Sequence, residues 1–236
     1  MLPNLLCMTD LPDALLSKEG AWIWRTSIDE TVDASILNEE ELARIRQLVD
    51  PAMRRSLAAH LVSRREIIGR LTSRTAANVP LIKDRQGAPW IDASDAPRIS
   101  LSRSGSWNAL ASSQTTDIGI DIEHLRQISW EPILHMICAP EEADIVRGLL
   151  LTGMEWRPFF RLWTVKESVL KAARLGLRGG AANVHVPELL LKGDAVEADL
   201  SYGGATYRVA VTEPEEVIVA CARRLSPNPS VIRKWV

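Results

Sequence analysis

The sequence predicts an α+β protein built as two halves that meet near residue 115. Three observations predict it. Patterned segments run strand, helices, strands, and then strand, helices, strands again. Runs rich in Ile, Val and Trp mark the strands, while stretches nearly free of Gly and Pro mark the helices. The 236 residues, 46% hydrophobic and 25% charged, suit one large domain or two packed halves, and exclude disordered, collagen-like and coiled-coil chains. A chain of this size can bury roughly 70% of its unfolded surface, so its core needs no disulfide or metal staple.

The elements follow in order. Residues 1–20 read as a loose arm. Ala21–Ile28 (AWIWRTSI) reads as a strand, and helical patterning begins near Asn38. Asp50-Pro51 pairs an N-cap with a proline at the first helical position, opening a helix to about Thr75. Lys83–Pro97 is rich in turn residues. Strands are expected at Arg98–Ser102, Asn108–Ser112 and Asp117–Glu123, the first two joined by a hairpin turn at RSGSW. Helices are expected at Glu131–Met136, Pro140–Leu150 and Glu155–Leu175. Strands follow at Ala182–Val186, Ala195–Tyr202, Ala205–Val211 and Val217–Arg223, with Gly203-Gly204 as a turn. The halves are therefore 21–115 and 116–225, with a tail at 226–236.

Charge and cysteines narrow the function classes. The formal net charge is −2, which argues against a protein coated for nucleic acid, although Arg54, Arg55, Arg64, Arg65, Arg70 and Arg74 cluster on one expected helix. Cys7, Cys138 and Cys221 are odd in number, far apart and without metal-ligand spacing, which fits a reducing, cytoplasmic setting. The first residues carry no signal-peptide pattern, and no apolar run reaches about 18 residues, so no membrane association is expected.

Three segments carry chemistry. In DIGIDIE (Asp117–Glu123), strand alternation turns Ile118, Ile120 and Ile122 inward and places Asp117, Gly119, Asp121 and Glu123 on the other face. Gly119 leaves room there for something to approach. Adjacent carboxylates repel unless a cation joins them. Only hard oxygen donors are on offer, which suits Mg²⁺ or Mn²⁺ better than Zn²⁺. A solvated strand face would read the same way. In RPFFRLWTVKESVLKAARLGL (Arg157–Leu177), Glu167 and Lys171 lie four apart on one helical face. An ordinary surface ion pair explains that spacing; so does a third oxygen ligand, Glu167, with Lys166 and Lys171 flanking a polyphosphate. SLSRSGSW (Ser100–Trp107) offers hydroxyls and turn amides that suit a phosphate, or is simply a polar hairpin. The chain has no P-loop, no GxGxxG after a strand and no GxSxG, and His60, His124, His135 and His185 are scattered.

Taken in order, SLSRSGSW, IGIDIEHLR and FFRLWTVKESVLKA resemble the 4′-phosphopantetheinyl transferase superfamily, and the length resembles its larger, monomeric Sfp-type branch. The matching motifs are the serine turn at Ser100–Ser104, GxDxE at Gly119–Glu123 and WxxKExxxK at Trp163–Lys171. Weaker similarity runs over about residues 20–225 and includes a GxP turn at Gly87–Pro89. The pair of acidic motifs in this order is fairly specific; either alone is not.

The resemblance implies two similar α+β halves related by pseudo-twofold symmetry, with coenzyme A in the cleft between them. It implies Asp121, Glu123 and Glu167 as Mg²⁺ ligands and Lys166 and Lys171 beside the phosphates. Arg65 would meet the 3′-phosphate of CoA, and Gly87, Ser102, Arg103 and Ser104 would contribute to CoA binding. The implied reaction moves phosphopantetheine from CoA to a serine of an apo acyl or peptidyl carrier protein and releases 3′,5′-ADP. Glu167, or a metal-bound water, could take the serine proton, with Glu167 preferred as both ligand and base. Three positions depart from the family pattern: Arg103 where His is usual, Ala88 where Lys is common, and Arg174 where Gly is usual. Arg174 could add a CoA contact or narrow the cleft. The alternatives are a non-catalytic CoA- or carrier-binding relative, or an unrelated Mg²⁺-dependent phosphohydrolase.

Overall fold

The computed structural model describes residues 6–7, 19–27, 31–154 and 156–225. The expected tail at 226–236 and most of the expected arm lie outside these residues.

The first helices form where their caps direct them. Helix α1 (Glu39–Gln47) opens on a capping box, in which the Asn38 side chain accepts from the Glu41 amide and Glu41 accepts from the Asn38 amide. Helix α2 (Pro51–Thr72) opens on Asp50, whose carboxylate accepts from the Ala52 amide at 2.8 Å. Its last residue is Thr72, three before the expected stop at Thr75, and Ser73 caps it in a left-handed conformation.

Two four-stranded antiparallel sheets organise the chain. The first has the order β1 (Leu6–Cys7), β2 (Glu19–Arg25), β6 (Trp107–Ser113), β5 (Arg98–Ser104). The second has the order β7 (Ile118–His124), β10 (Val217–Arg224), β9 (Ala205–Thr212), β8 (Glu197–Tyr202). A small hairpin pairs β3 (Leu81–Lys83) with β4 (Pro89–Ile91). Helices α3 (Glu131–Ile137), α4 (Pro140–Leu151), α5 (Arg157–Ala172) and α6 (Glu188–Lys192) all fall between β7 and β8.

Layering follows from the apolar patterns. Ile118, Ile120 and Ile122 pack with Ala21, Ile23, Trp107 and Ala109 of the first sheet and Val217, Val219 and Cys221 of the second, so the sheets face each other across a shared core. Helix α2 covers the outer face of the first sheet through Ile67 and Ile68 against Trp24, Ile99 and Leu110. Helix α5 covers the outer face of the second, with Val165 and Val169 against Ile218 and Ala220. The molecule is α+β, as the sequence predicts.

One expected strand is absent. Ala182–Val186 forms a 3-10 turn at Ala181–Asn183 followed by an irregular stretch. The carbonyls of Ala181 and Val184 accept hydrogen bonds from Lys166 instead of from a strand partner.

Candidate active site

Strands β5 and β7 are edges of different sheets, and the serines of β5 join them. Ser100 Oγ accepts from the Ile120 amide at 3.0 Å, and Ser104 Oγ accepts from the His124 amide at 3.1 Å. Ser102 Oγ donates to Asp121 Oδ1 and Ser104 Oγ to Glu123 Oε2, each at 2.7 Å. The alternation of β5 that turns these hydroxyls toward β7 turns Ile99 and Leu101 toward α2. Arg103 shares that second face. It is exposed and its charge acts on His60 of α2, so it stands away from the carboxylates.

Helix α5 comes onto the outer face of β7 at Gly119. A Cβ there would lie 2.0 Å from the Ser168 carbonyl oxygen and 2.4 Å from the Ala172 amide nitrogen. The space beside Gly119 thus admits α5 rather than a ligand. This close approach brings Glu167 and Lys171 to Asp121. Lys171 Nζ donates to Asp121 Oδ1 at 2.7 Å, to Ser102 Oγ at 3.1 Å and to the Ile120 carbonyl at 3.2 Å.

The carboxylates are short of counter-charge. Asp121 is 4% exposed, and its Oδ2 is buried with no hydrogen-bond partner among the described residues; Glu167 Oε1 is in the same condition. Burial pushes the Asp121 carboxyl up, opposed by Lys171 and Ser102. Burial, reinforced by the Asp121 and Glu123 charges and opposed by Lys171, pushes Glu167 up to about 6. Arg126, which the sequence reading did not single out, donates to Glu123 Oε2 at 2.8 Å and lies over the Phe160 ring.

Among the described residues, no three carboxylate, His or Cys side chains are gathered closely enough to hold a metal ion as they stand. The donor set nevertheless fits a hard divalent cation. It consists of oxygens alone, and two of them are buried and unpaired.

Two expected site residues stand elsewhere. Lys166 is adjacent to Glu167 in sequence but points to a different side of α5, where it is 1% exposed. There it pairs with Glu142 at 2.6 Å and caps the Ala181 and Val184 carbonyls. One helical position turns a side chain by about 100°, which separates the two neighbours. Arg65 is also buried, held by Glu41 at 2.6 Å and by the Ala76 and Val79 carbonyls. It ties α1 to α2 and is not presented to a ligand. Its neighbour Arg64 lines a surface cleft with Arg44, Lys83, Gly87 and Leu101.

Gly87 sits in the β3–β4 turn with φ +86° and lines a second cleft, of ≈ 260 Å³. That cleft is walled by Gln86–Pro89 and β5 on one side and by Asp117, Ile118, Lys171, Arg174 and Gly176 on the other. The carboxylate cluster adjoins it through Lys171, which belongs to both.

Residues 117–222, the span from the start of β7 to β10, match the sequence model of the 4′-phosphopantetheinyl transferase superfamily. Over that span the chain is similar to members of that superfamily. The match contains Asp121, Glu123, Glu167 and Lys171. Among relatives of the superfamily, the 4′-phosphopantetheinyl transferase HetI of Nostoc sp. is 29% identical over 175 residues, covering 70% of this chain and 73% of that protein. A Synechocystis sp. protein, slr0495, to which the same activity is provisionally assigned, is 24% identical over 161 residues, covering 67% of this chain and 65% of that protein. Among the described residues, no helix is long and apolar enough to cross a membrane.

Proposed function

We propose that the protein transfers the 4′-phosphopantetheine group of coenzyme A to a serine of an apo acyl or peptidyl carrier protein, releasing 3′,5′-ADP. We further propose that it is a monomeric, cytoplasmic member of the Sfp-type branch, with its two halves related by a pseudo-twofold axis. The observation that carries this reading is the pair of buried, unpaired oxygens, Asp121 Oδ2 and Glu167 Oε1, beside Lys171 at the edge of a cleft.

The transfer forms a bond from the carrier serine Oγ to the phosphorus that bears pantetheine. It breaks the bond from that phosphorus to the oxygen shared with the adenosine phosphate. Such a reaction demands charge neutralisation and in-line placement more than covalent help. Lys171 supplies positive charge where the leaving phosphate gathers negative charge. Glu167 takes the serine proton; its desolvated carboxylate is a stronger base than an exposed one. Ser102 holds Asp121 in place and Ser104 holds Glu123, so the acidic face is set before the substrate arrives. Asp121, Glu123 and Glu167 would hold Mg²⁺ or Mn²⁺, which supplies charge neutralisation on the pyrophosphate when bound.

The test is the intact mass of an apo carrier protein after incubation with this protein, CoA and Mg²⁺. A gain of one phosphopantetheine arm that EDTA abolishes supports the reading. Phosphate release from CoA with no acceptor present would point instead to a phosphohydrolase.

A further inference from the structure

We propose that Arg174 is a positioning residue that clamps the two walls of the ≈ 260 Å³ cleft together and so sets the grip on the substrate, coenzyme A. The inference rests on reading that cleft as the CoA site.

Arg174 follows α5 by two residues and has φ +59°, a left-handed conformation that favours glycine. No side chain is needed there to close the helix, because the turn is made by main-chain bonds. The Arg174 amide donates to the Lys171 carbonyl at 3.0 Å and the Leu175 amide to the Leu170 carbonyl at 3.0 Å. The arginine side chain is instead committed across the cleft, to residues some ninety positions earlier. Its Nη2 donates to Asp84 Oδ2 at 2.9 Å, and its guanidinium lies 5.7 Å from the centre of the Trp90 ring.

Asp84 organises the turn on the far wall. Its Oδ1 accepts from the Gln86 and Ala88 amides, each at 2.9 Å, while its main chain pairs with Gly87 and Ala88. One carboxylate therefore shapes the Gln86–Pro89 wall and anchors it to Arg174. Arg174 in turn is three residues from Lys171 on the opposite wall. A shift of this bridge moves the turn relative to Lys171, which is how Arg174 acts on a ligand gripped between them. A strained residue whose side chain, among the described residues, bonds across the cleft is what a clamp requires, and a helix terminator does not.

The experiment titrates CoA calorimetrically into the full chain and compares Arg174→Gly, Arg174→Lys, Asp84→Asn and Arg174→Gly/Asp84→Asn with wild type. Melting temperatures and the KM and kcat for transfer are measured alongside. The clamp predicts that each single variant except Arg174→Lys loses about tenfold in CoA affinity, the loss of one partly buried charge contact backed by a cation–π contact. The double variant loses no more than either single one, because both break the same bridge. KM rises with kcat within about twofold of wild type, Arg174→Lys keeps part of the affinity, and Arg174→Gly melts no lower than wild type because glycine relieves the left-handed strain. Unchanged affinity in Arg174→Gly, additive losses in the double variant, or a lowered melting temperature with KM unchanged would each overturn the clamp. Wild-type protein that binds no CoA would overturn the reading of the cleft, and with it the ligand assigned to the clamp.

Discussion

Single positions show how burial assigns roles to charged residues. Lys166 and Glu167 are sequence neighbours, yet one is paired inside the core and the other is half-buried with a buried oxygen unpaired. Replacing Lys166 by Met leaves Glu142 buried without its partner, so stability should fall by about 3–5 kcal/mol. Lys166→Met/Glu142→Leu should recover most of that loss in urea unfolding, since a buried ion pair and a well-packed apolar pair are close in energy. His60 gives a pH prediction. Burial, helped by the Arg64 and Arg103 charges, lowers its imidazole from 6.5 to about 3. The unfolded chain therefore takes up a proton below pH 6.5 that the folded chain refuses until about pH 3. Stability from this site is complete above pH 6.5 and is lost as pH falls, by up to about 1.4 kcal/mol per pH unit. His60→Gln should flatten the fall in melting temperature between pH 6.5 and 4.

At the scale of elements, the contact of α5 on β7 makes the site. Gly119→Ala would drive a methyl group into the Ser168 carbonyl, and both partners are main chain in regular elements. The expected cost is about 1–3 kcal/mol or more, read by chemical unfolding. Transfer should suffer more than stability, because any retreat of α5 carries Glu167 and Lys171 away from Asp121. The elements themselves were largely legible. Asn38, Asp50 and the alternation of Ile118, Ile120 and Ile122 each declare a local structure through a local cause. Ala182–Val186 read as a strand because its apolar alternation is local too, whereas the carbonyls that Lys166 claims lie far along the chain. The site was legible where spacing fixes geometry: two apart on a strand for Asp121 and Glu123, four apart on a helix for Glu167 and Lys171. It was not legible for Lys166 and Arg65, because charge alone does not say which helical face meets the core. Asp84 and Arg126 were missed because their partners are set by tertiary contact.

The whole molecule stacks α2, one sheet, the other sheet and α5, and places its acidic cluster where the edges of the two sheets meet. The shared core behind β7 fixes the strand, so the repulsion among Asp121, Glu123 and Glu167 cannot relax by moving the backbone. On the proposed reading, a divalent cation would relieve this repulsion by binding the folded chain and not the unfolded one. Added Mg²⁺ should therefore raise the melting temperature, by an amount that grows with concentration, and Asp121→Ala should abolish the rise. An unchanged melting temperature across millimolar Mg²⁺ would count against a cation site here. Activity should divide along the same geometry. The most direct measurement is the intact mass of an apo carrier protein treated with CoA, Mg²⁺ and either Glu167→Gln or the folded Lys166→Met/Glu142→Leu protein. The account predicts that the first leaves the carrier unmodified, or modifies it at least about a hundredfold more slowly, as loss of a general base requires, while the second adds the phosphopantetheine arm at close to the wild-type rate. Near-normal transfer by Glu167→Gln, or none by the folded Lys166 variant, would contradict it.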